Sequence, residues 1–169
     1  MAKVFAGFVS ALVVAALVGG VAVVAGLVPV DATDEPPRWE GAIAERALRA
    51  SLARRVPERA NPVPPTDSNV IAGMRTYREN CAGCHGGPSK RPEPFGESFY
   101  PRVPQFPIHP PRLPESQMFW VVKHGVRRTG MPGWGRLLRD DEIWRTVAFL
   151  ARIDSLPPAV DSAWRTRGR

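Results

Sequence analysis

The pentapeptide Cys81-Ala82-Gly83-Cys84-His85 constrains this chain more than any other stretch. It has the C-x-x-C-H spacing through which a c-type haem is attached to protein. Each cysteine sulfur adds to one vinyl group of the porphyrin, and the adjacent histidine then ligates the iron. The sequence therefore predicts one covalently bound haem c, held by Cys81, Cys84 and His85.

Three other uses of a paired cysteine motif fit this sequence less well. A redox C-x-x-C pair needs no histidine and is typical of a βαβ context, which the sequence pattern does not indicate. A structural zinc site needs a second pair of ligands, yet Cys81 and Cys84 are the only cysteines. A disulfide between these two would close too short a loop to stabilise the fold.

Length and composition limit the architecture and the class of partner. The chain has 169 residues, of which about 30 at the N-terminus are apolar, so the remainder suffices for one domain. Nineteen prolines and fifteen glycines indicate many loops. The net charge of +7 suits an anionic partner, but no nucleic-acid-binding motif accompanies it, so we expect no nucleic acid.

The N-terminal segment, residues 1–30, is predicted to be a transmembrane anchor. Residues 4–28 carry no charge, and 25 predominantly apolar residues are enough to cross a bilayer as a helix. The alternative is a cleaved signal peptide, whose apolar region is about 7–15 residues and therefore much shorter. Lys3 precedes the span and acidic residues follow it. This predicts a single-pass protein of the bacterial plasma membrane, with its haem domain on the periplasmic or outer side.

A connector, residues 31–65, is predicted to follow the anchor. Its proline-containing ends indicate a linker, and residues 39–56 between them contain mostly helix-forming residues. Four arginines make this helix basic: Arg46, Arg49, Arg54 and Arg55. It is interpreted as a helix that lies on the following domain, touches anionic lipid or contacts a partner subunit.

Three further helices are predicted in a domain that we place at residues 66–158. The first begins near residue 66 and runs into Cys81, the second covers residues 115–124, and the third covers residues 140–153. Apolar residues recur along them at intervals of three and four. The remaining residues, 159–169, are predicted to form a basic C-terminal tail with Arg165, Arg167 and Arg169.

Between the first two of these helices lies a proline-rich segment. Residues 88–114 contain nine prolines in 27 positions, a density that is also found in disordered linkers. Apolar side chains are interleaved with the prolines, however, and such side chains can anchor a loop around a hydrophobic cofactor. We therefore expect an ordered loop that wraps the haem; its apolar anchors are Phe95, Phe99, Tyr100, Phe106, Ile108 and Leu113.

Haem iron has a second axial position, which histidine, methionine or no protein residue can occupy. Met131 is the favoured candidate, because it lies in a loop between Gly130 and Pro132 and is free of the constraints of a helix. The other methionines fall on helices, on the wrong side of the attachment site or on a face that favours the core. The remaining candidates are Met74, Met118, His109 and His124.

Two stretches of the chain resemble a monohaem class I cytochrome c domain. G-x3-Y followed by CAGCHG, at residues 73–86, is similar to its start. TGMPGW at residues 129–134, followed by DEIWRTVAFL at residues 141–150, is similar to its end. The resemblance implies an all-α fold, to which this chain adds an N-terminal transmembrane helix. It also implies that the first and last helices of the domain cross near the haem.

The same resemblance implies particular contacts. Gly73 and Tyr77 of the first helix are expected to meet Trp144 and Ala148 of the last helix. A proline carbonyl of the family accepts the ring N–H of the iron-ligating histidine, and in this chain the resemblance gives that role to Pro111. The loop methionine of the family is its sixth ligand.

These observations predict one-electron transfer rather than enzymatic catalysis. A His–Met ligand pair, His85 and Met131, leaves no open site for a substrate. The alternative is a haem enzyme or gas sensor with a displaceable sixth ligand. Residues 81–139 contain nine basic and three acidic side chains, which suits redox protein partners with acidic docking surfaces. The chain is then a membrane-tethered carrier or a haem subunit of a larger respiratory or photosynthetic complex.

Overall fold

The computed structural model describes residues 1–166, which contain eight helices and no β-strand. Two compact units divide the chain, residues 1–31 and residues 32 onward. The helices, in chain order, are α1 (Ala2–Val24), α2 (Arg38–Arg55), α3 (Asp67–Asn80), α4 (Ala82–His85), α5 (Pro94–Glu97), α6 (Glu115–His124), α7 (Asp140–Leu150) and α8 (Pro158–Arg165). This agrees with the all-α fold expected from the sequence.

The first unit is the single helix α1. Its 23 residues extend for about 35 Å at 1.5 Å per residue, which matches the apolar thickness of a bilayer. None of its side chains is buried, so its apolar surface has no partner within the unit. Length and composition make it the one candidate membrane-spanning helix in the part of the chain that the structure describes. It ends at Val24, before Gly26 with its φ of +69°, and is thus shorter than the apolar run.

The second unit begins with a short linker and α2. The helix has nearly the bounds expected from the sequence, and its Leu52 is buried while its arginines are exposed. Two polar contacts join this region to the proline-rich segment. The Tyr100 hydroxyl donates a hydrogen bond to the Glu40 carboxylate at 2.9 Å, and Arg102 pairs with Glu35 at 2.9 Å. Glu35 and Glu40 therefore contact the proline-rich segment, while most of α2 is exposed.

The core of the second unit is built where α3 crosses α7. Gly73 makes the crossing possible, because a Cβ atom at this position would overlap the carbonyl of Arg145. Tyr77, one turn later, packs its ring against Phe149 with 5.4 Å between ring centroids. The helices thus cross as expected, with Gly73 against the backbone of Arg145 and Thr146, and with the Tyr77 ring tilted against Phe149.

The last helix, α8, corrects the expectation of a tail after residue 158. Val160 and Trp164 are buried, and the Trp164 ring packs against Tyr77 and Phe149. The guanidinium of Arg78 donates to the carbonyls of Ala163 and Trp164, which fixes the end of α8 to α3. Val160 and Trp164 therefore belong to the core cluster, and Ala163 packs against it. Arg167 and Arg169 lie outside the described residues.

Candidate haem-attachment site

The attachment pentapeptide forms one helical turn directly after α3. Cys81 is the C-cap residue that follows α3, and its carbonyl accepts hydrogen bonds from the backbone N–H groups of Cys84 at 3.1 Å and His85 at 2.9 Å. Positions i, i+3 and i+4 of a helix share one face. The turn therefore puts both thiols and the imidazole on the same side of the backbone, as attachment to one porphyrin requires.

Both cysteines are free thiols and half-buried. Burial, with a smaller contribution from the neighbouring Cys84, raises the pKa of the Cys81 thiol to about 12. Within residues 1–166 no group of three or more His, Cys, Asp or Glu side chains is placed to hold a metal ion. Two free thiols beside a histidine suit covalent haem.

His85 is held in one orientation by a backbone carbonyl. Its Nδ1 lies 2.9 Å from the carbonyl oxygen of Pro104, which can only accept, so Nδ1 carries the proton. Burial lowers the pKa of the imidazole, and the bond to Pro104 acts in the opposite direction. A neutral ring with Nδ1 protonated leaves Nε2 as the lone-pair donor for iron.

The carbonyl that contacts His85 belongs to Pro104 and not to Pro111, so the assignment from the family resemblance is wrong. The reason is the tight return of the chain after His85. The backbone N–H of Phe106 donates to the His85 carbonyl at 3.0 Å, and the Phe106 ring stacks on the imidazole with 4.3 Å between centroids. These contacts fix residues 104–106 beside the histidine, and Pro111 lies five residues beyond them.

The proline-rich segment contacts both halves of the candidate site. Near its start, Gly96 in α5 lies so close to the attachment turn that a Cβ atom there would overlap the Cys84 carbonyl. A few residues later the Phe99 ring lies where a side chain on Gly130 would be. The segment therefore joins the cysteine–histidine turn to the loop that carries Met131.

The loop of Met131 folds back on the C-terminal end of α6. The Val126 N–H donates to the Met131 carbonyl at 3.1 Å, and the Met131 N–H donates to the Thr129 hydroxyl oxygen at 3.1 Å. The N–H groups of Trp134 and Gly135 donate to carbonyls of α6 at 3.0 Å each. Both ends of the loop are therefore fixed, and Met131 itself is half-buried.

The other candidate ligands lie in less suitable surroundings. Met74 and Met118 are 2% and 5% exposed and belong to the core cluster. His109 and His124 are exposed, and the ring of His124 packs against Trp120 instead. Met131 remains the candidate that the sequence favoured.

Several apolar side chains of the second unit are only half-buried, which suits an apolar cofactor. A set of half-buried apolar side chains packs on the core cluster with part of its surface left uncovered: Ala82, Phe106, Leu113, Phe119, Met131, Trp134 and Leu138. Covering apolar surface of this kind with a porphyrin stabilises the protein by about 25 cal/mol per Å². Two thiols and a neutral imidazole on one face of the attachment turn fit haem c.

Several basic side chains surround the Met131 loop. Lys123 and Arg139 pair with Asp140 at 2.7 Å and Asp141 at 3.1 Å. Three more arginines are exposed, and among residues 1–166 none of them has a carboxylate within ion-pair distance: Arg127, Arg128 and Arg136. Their charges are therefore available to solvent or to a partner.

Comparison with known proteins gives one family and one structural neighbour. Residues 68–150 match the family described as cytochrome c oxidase, cbb3-type, subunit III. A chain of the Kuenenia stuttgartiensis reducing HAO-like protein complex is similar in fold, with a TM-score of 0.46 and 21% identity. The similarity covers 57% of this chain and 50% of that one, so this chain spans half of that neighbour's length. No curated protein matches the sequence.

Proposed function

We propose that this chain, whose residues 68–150 match a cytochrome c oxidase subunit family, is a class I c-type cytochrome that transfers single electrons through one covalently bound haem. Cys81 and Cys84 would hold the porphyrin, and His85 and Met131 would ligate the iron. The observation that carries the proposal is the His85–Pro104 hydrogen bond within the attachment turn, because it leaves Nε2 as the donor for iron. When bound, the haem supplies the reversible Fe(III)/Fe(II) couple.

Met131 is proposed as the sixth ligand because its loop is fixed and its thioether is not enclosed in the core. A methionine ligand in addition to histidine would raise the reduction potential and leave no position for a substrate. The chain's own contribution is then to orient His85, to hold Met131 and to exclude water with the surrounding apolar side chains.

The setting that we propose is the outer face of a bacterial plasma membrane. The apolar helix α1 supports a single-pass anchor, and haem c is attached on that side of the membrane. The exposed arginines Arg127, Arg128 and Arg136 suit a redox partner with an acidic surface. The chain would act as a tethered carrier or as a haem subunit of a respiratory or photosynthetic complex.

A visible spectrum of membranes that contain the reduced protein, taken with and without carbon monoxide, tests this function. We expect a low-spin c-type spectrum that carbon monoxide does not change, since both axial positions are occupied. A spectrum that carbon monoxide shifts would instead favour the alternative of a haem enzyme or gas sensor. In parallel, changing Cys81 and Cys84 together to serine is expected to abolish haem staining on a denaturing gel, and staining that persists would contradict covalent attachment.

A further inference from the structure

Gln105 has a buried side-chain amide that joins three segments of the backbone near the attachment turn. Its side chain is 7% exposed. Its Nε2 donates to the Cys84 carbonyl at 2.9 Å and to the Val103 carbonyl at 3.0 Å, and its Oε1 accepts from the Glu93 N–H at 2.8 Å. Both amide protons and one acceptor position are thus used, which is costly to disrupt inside a protein.

Two glycines make room for this amide. A Cβ atom on Gly86, where φ is +90°, would lie 3.0 Å from Oε1 of Gln105. A Cβ atom on Gly96 would lie 2.8 Å from its Nε2. The absence of a side chain at Gly86 and at Gly96 therefore leaves the space that the Gln105 side chain occupies.

Gln105 stands in the chain between two residues that both contact His85. The residue before it, Pro104, supplies the carbonyl that accepts the His85 Nδ1–H, and the residue after it, Phe106, contacts His85 through backbone and ring. The Pro104 carbonyl lies in the same planar peptide unit as the N–H of Gln105, so the placement of Gln105 determines where this carbonyl points. The direct connection between this tripeptide's side chains and the attachment turn's backbone is the bond from Gln105 to Cys84.

We infer that Gln105 is a positioning residue for the axial histidine: it holds the Pro104 carbonyl at hydrogen-bond distance from Nδ1 of His85. This inference rests on the proposed ligation of haem by His85. When the ring nitrogen that does not bind iron donates a hydrogen bond, the ligating imidazole becomes more basic. A more basic ligand favours ferric over ferrous iron. A loosened Pro104 carbonyl therefore makes the ligand less basic and raises the reduction potential.

The test compares Gln105→Met with wild type in the full-length, detergent-solubilised holoprotein. Methionine has nearly the length of glutamine but donates no hydrogen bond. We expect covalent haem to be retained, the His85 Nδ1–H to exchange with solvent about tenfold faster by NMR, as for the loss of one net hydrogen bond, and the potential to shift upward. The matched control Gln117→Met makes the same exchange on α6, outside this hydrogen-bond network, and is expected to leave both quantities unchanged.

A milder variant keeps the test decisive if Gln105→Met does not mature. Gln105→Asn retains an amide that is one methylene too short to reach both the Glu93 N–H and the Cys84 carbonyl, so the same two shifts are expected at smaller size. Wild-type exchange and potential in whichever Gln105 variants mature would overturn the inference. Failure of the proposed function is distinguishable, because wild type itself would then lack haem staining or a low-spin spectrum.

Discussion

At the scale of single residues, the proposed ligand set depends on Met131. Met131→Ala removes the thioether, so the sulfur-to-iron charge-transfer band of the ferric protein is expected to disappear. The reduction potential is expected to fall, because a methionine ligand raises it, and carbon monoxide is expected to bind to the ferrous protein. Ferric absorbance, redox titration and a carbon monoxide difference spectrum measure the three effects.

Met118→Leu serves as the matched control for that change. Met118 is 5% exposed in the core, and leucine conserves its volume, so stability is expected to fall by less than about 1.5 kcal/mol with no effect on the three spectral quantities. If Met118→Leu removes the charge-transfer band and Met131→Ala keeps it, the sixth ligand is Met118.

The sequence predicted the attachment turn but not the hydrogen-bond partner of His85. The attachment turn could be predicted because its spacing is a chemical requirement of the cofactor. The partner of His85 could not, because a carbonyl acceptor carries no side-chain signature and nine prolines lie within residues 88–114. Only the return of the chain, through the Phe106–His85 and Gln105–Cys84 bonds, selects Pro104 over Pro111.

At the scale of helices, the α3–α7 crossing depends on Gly73. Gly73→Ala puts a methyl group into the Arg145 carbonyl, and a helix backbone cannot yield as a flexible side chain can. We expect a loss of stability at the upper end of the overpacking range, about 3 kcal/mol. Guanidinium unfolding of the detergent-solubilised protein, followed by haem absorbance, measures it.

Gly41→Ala provides the control for the helical glycine. Gly41 lies in α2 with no atom within 4 Å of its missing Cβ, so alanine is expected to raise the local stability of this helix by about 0.5–1 kcal/mol and not to lower the unfolding midpoint. An unfolding midpoint of Gly73→Ala equal to that of wild type would show that the crossing is not as close as described.

The contribution of α8 to stability is expected to come from its buried face. Trp164 is 5% exposed between the rings of Tyr77 and Phe149, so Trp164→Ala is expected to cost about 3–5 kcal/mol. Arg165→Ala, on the exposed side of the same helix, removes only its pair with Asp161 and is expected to cost less than about 0.5 kcal/mol. Equal unfolding midpoints for the two variants would mean that α8 is not part of the core.

The sequence predicted the longer helices of the second unit because each has a clear start or stop signal. Thr66 accepts the N–H of Asn69 at the start of α3, and Gly125, with φ of +72°, ends α6. It did not predict α8, whose eight residues carry the apolar spacing of Val160 and Trp164 within a strongly basic end of the chain. A helix this short is stabilised by its packing partners rather than by its own residues, so only the tertiary structure identifies it.

At the scale of the whole molecule, the N-terminal helix raises the question of processing. If α1 is a retained anchor, mass spectrometry of the purified protein is expected to find peptides from residues 1–30, and alkaline carbonate is expected to leave the protein in the membrane fraction. A mature N-terminus near Thr33 would instead identify the segment as a cleaved signal peptide.

The charge of the haem domain determines how it would find a partner. Exposed arginines steer association only through charges that salt can screen, over a Debye length of about 8 Å at physiological ionic strength. Arg127, Arg128 and Arg136 are exposed and carry no ion pair within the described residues, so the bimolecular rate of electron transfer to the native acceptor is expected to fall as salt rises.

Arg128→Glu is expected to slow this electron transfer further at low salt, by about tenfold or more, with an unchanged haem spectrum. Arg54→Glu, the same charge reversal on the exposed side of α2, is expected to have a smaller effect, because α2 does not contribute to the Met131 loop. A rate that depends on neither salt nor Arg128 would indicate a fixed subunit, whose electron partner is already docked and requires no steering.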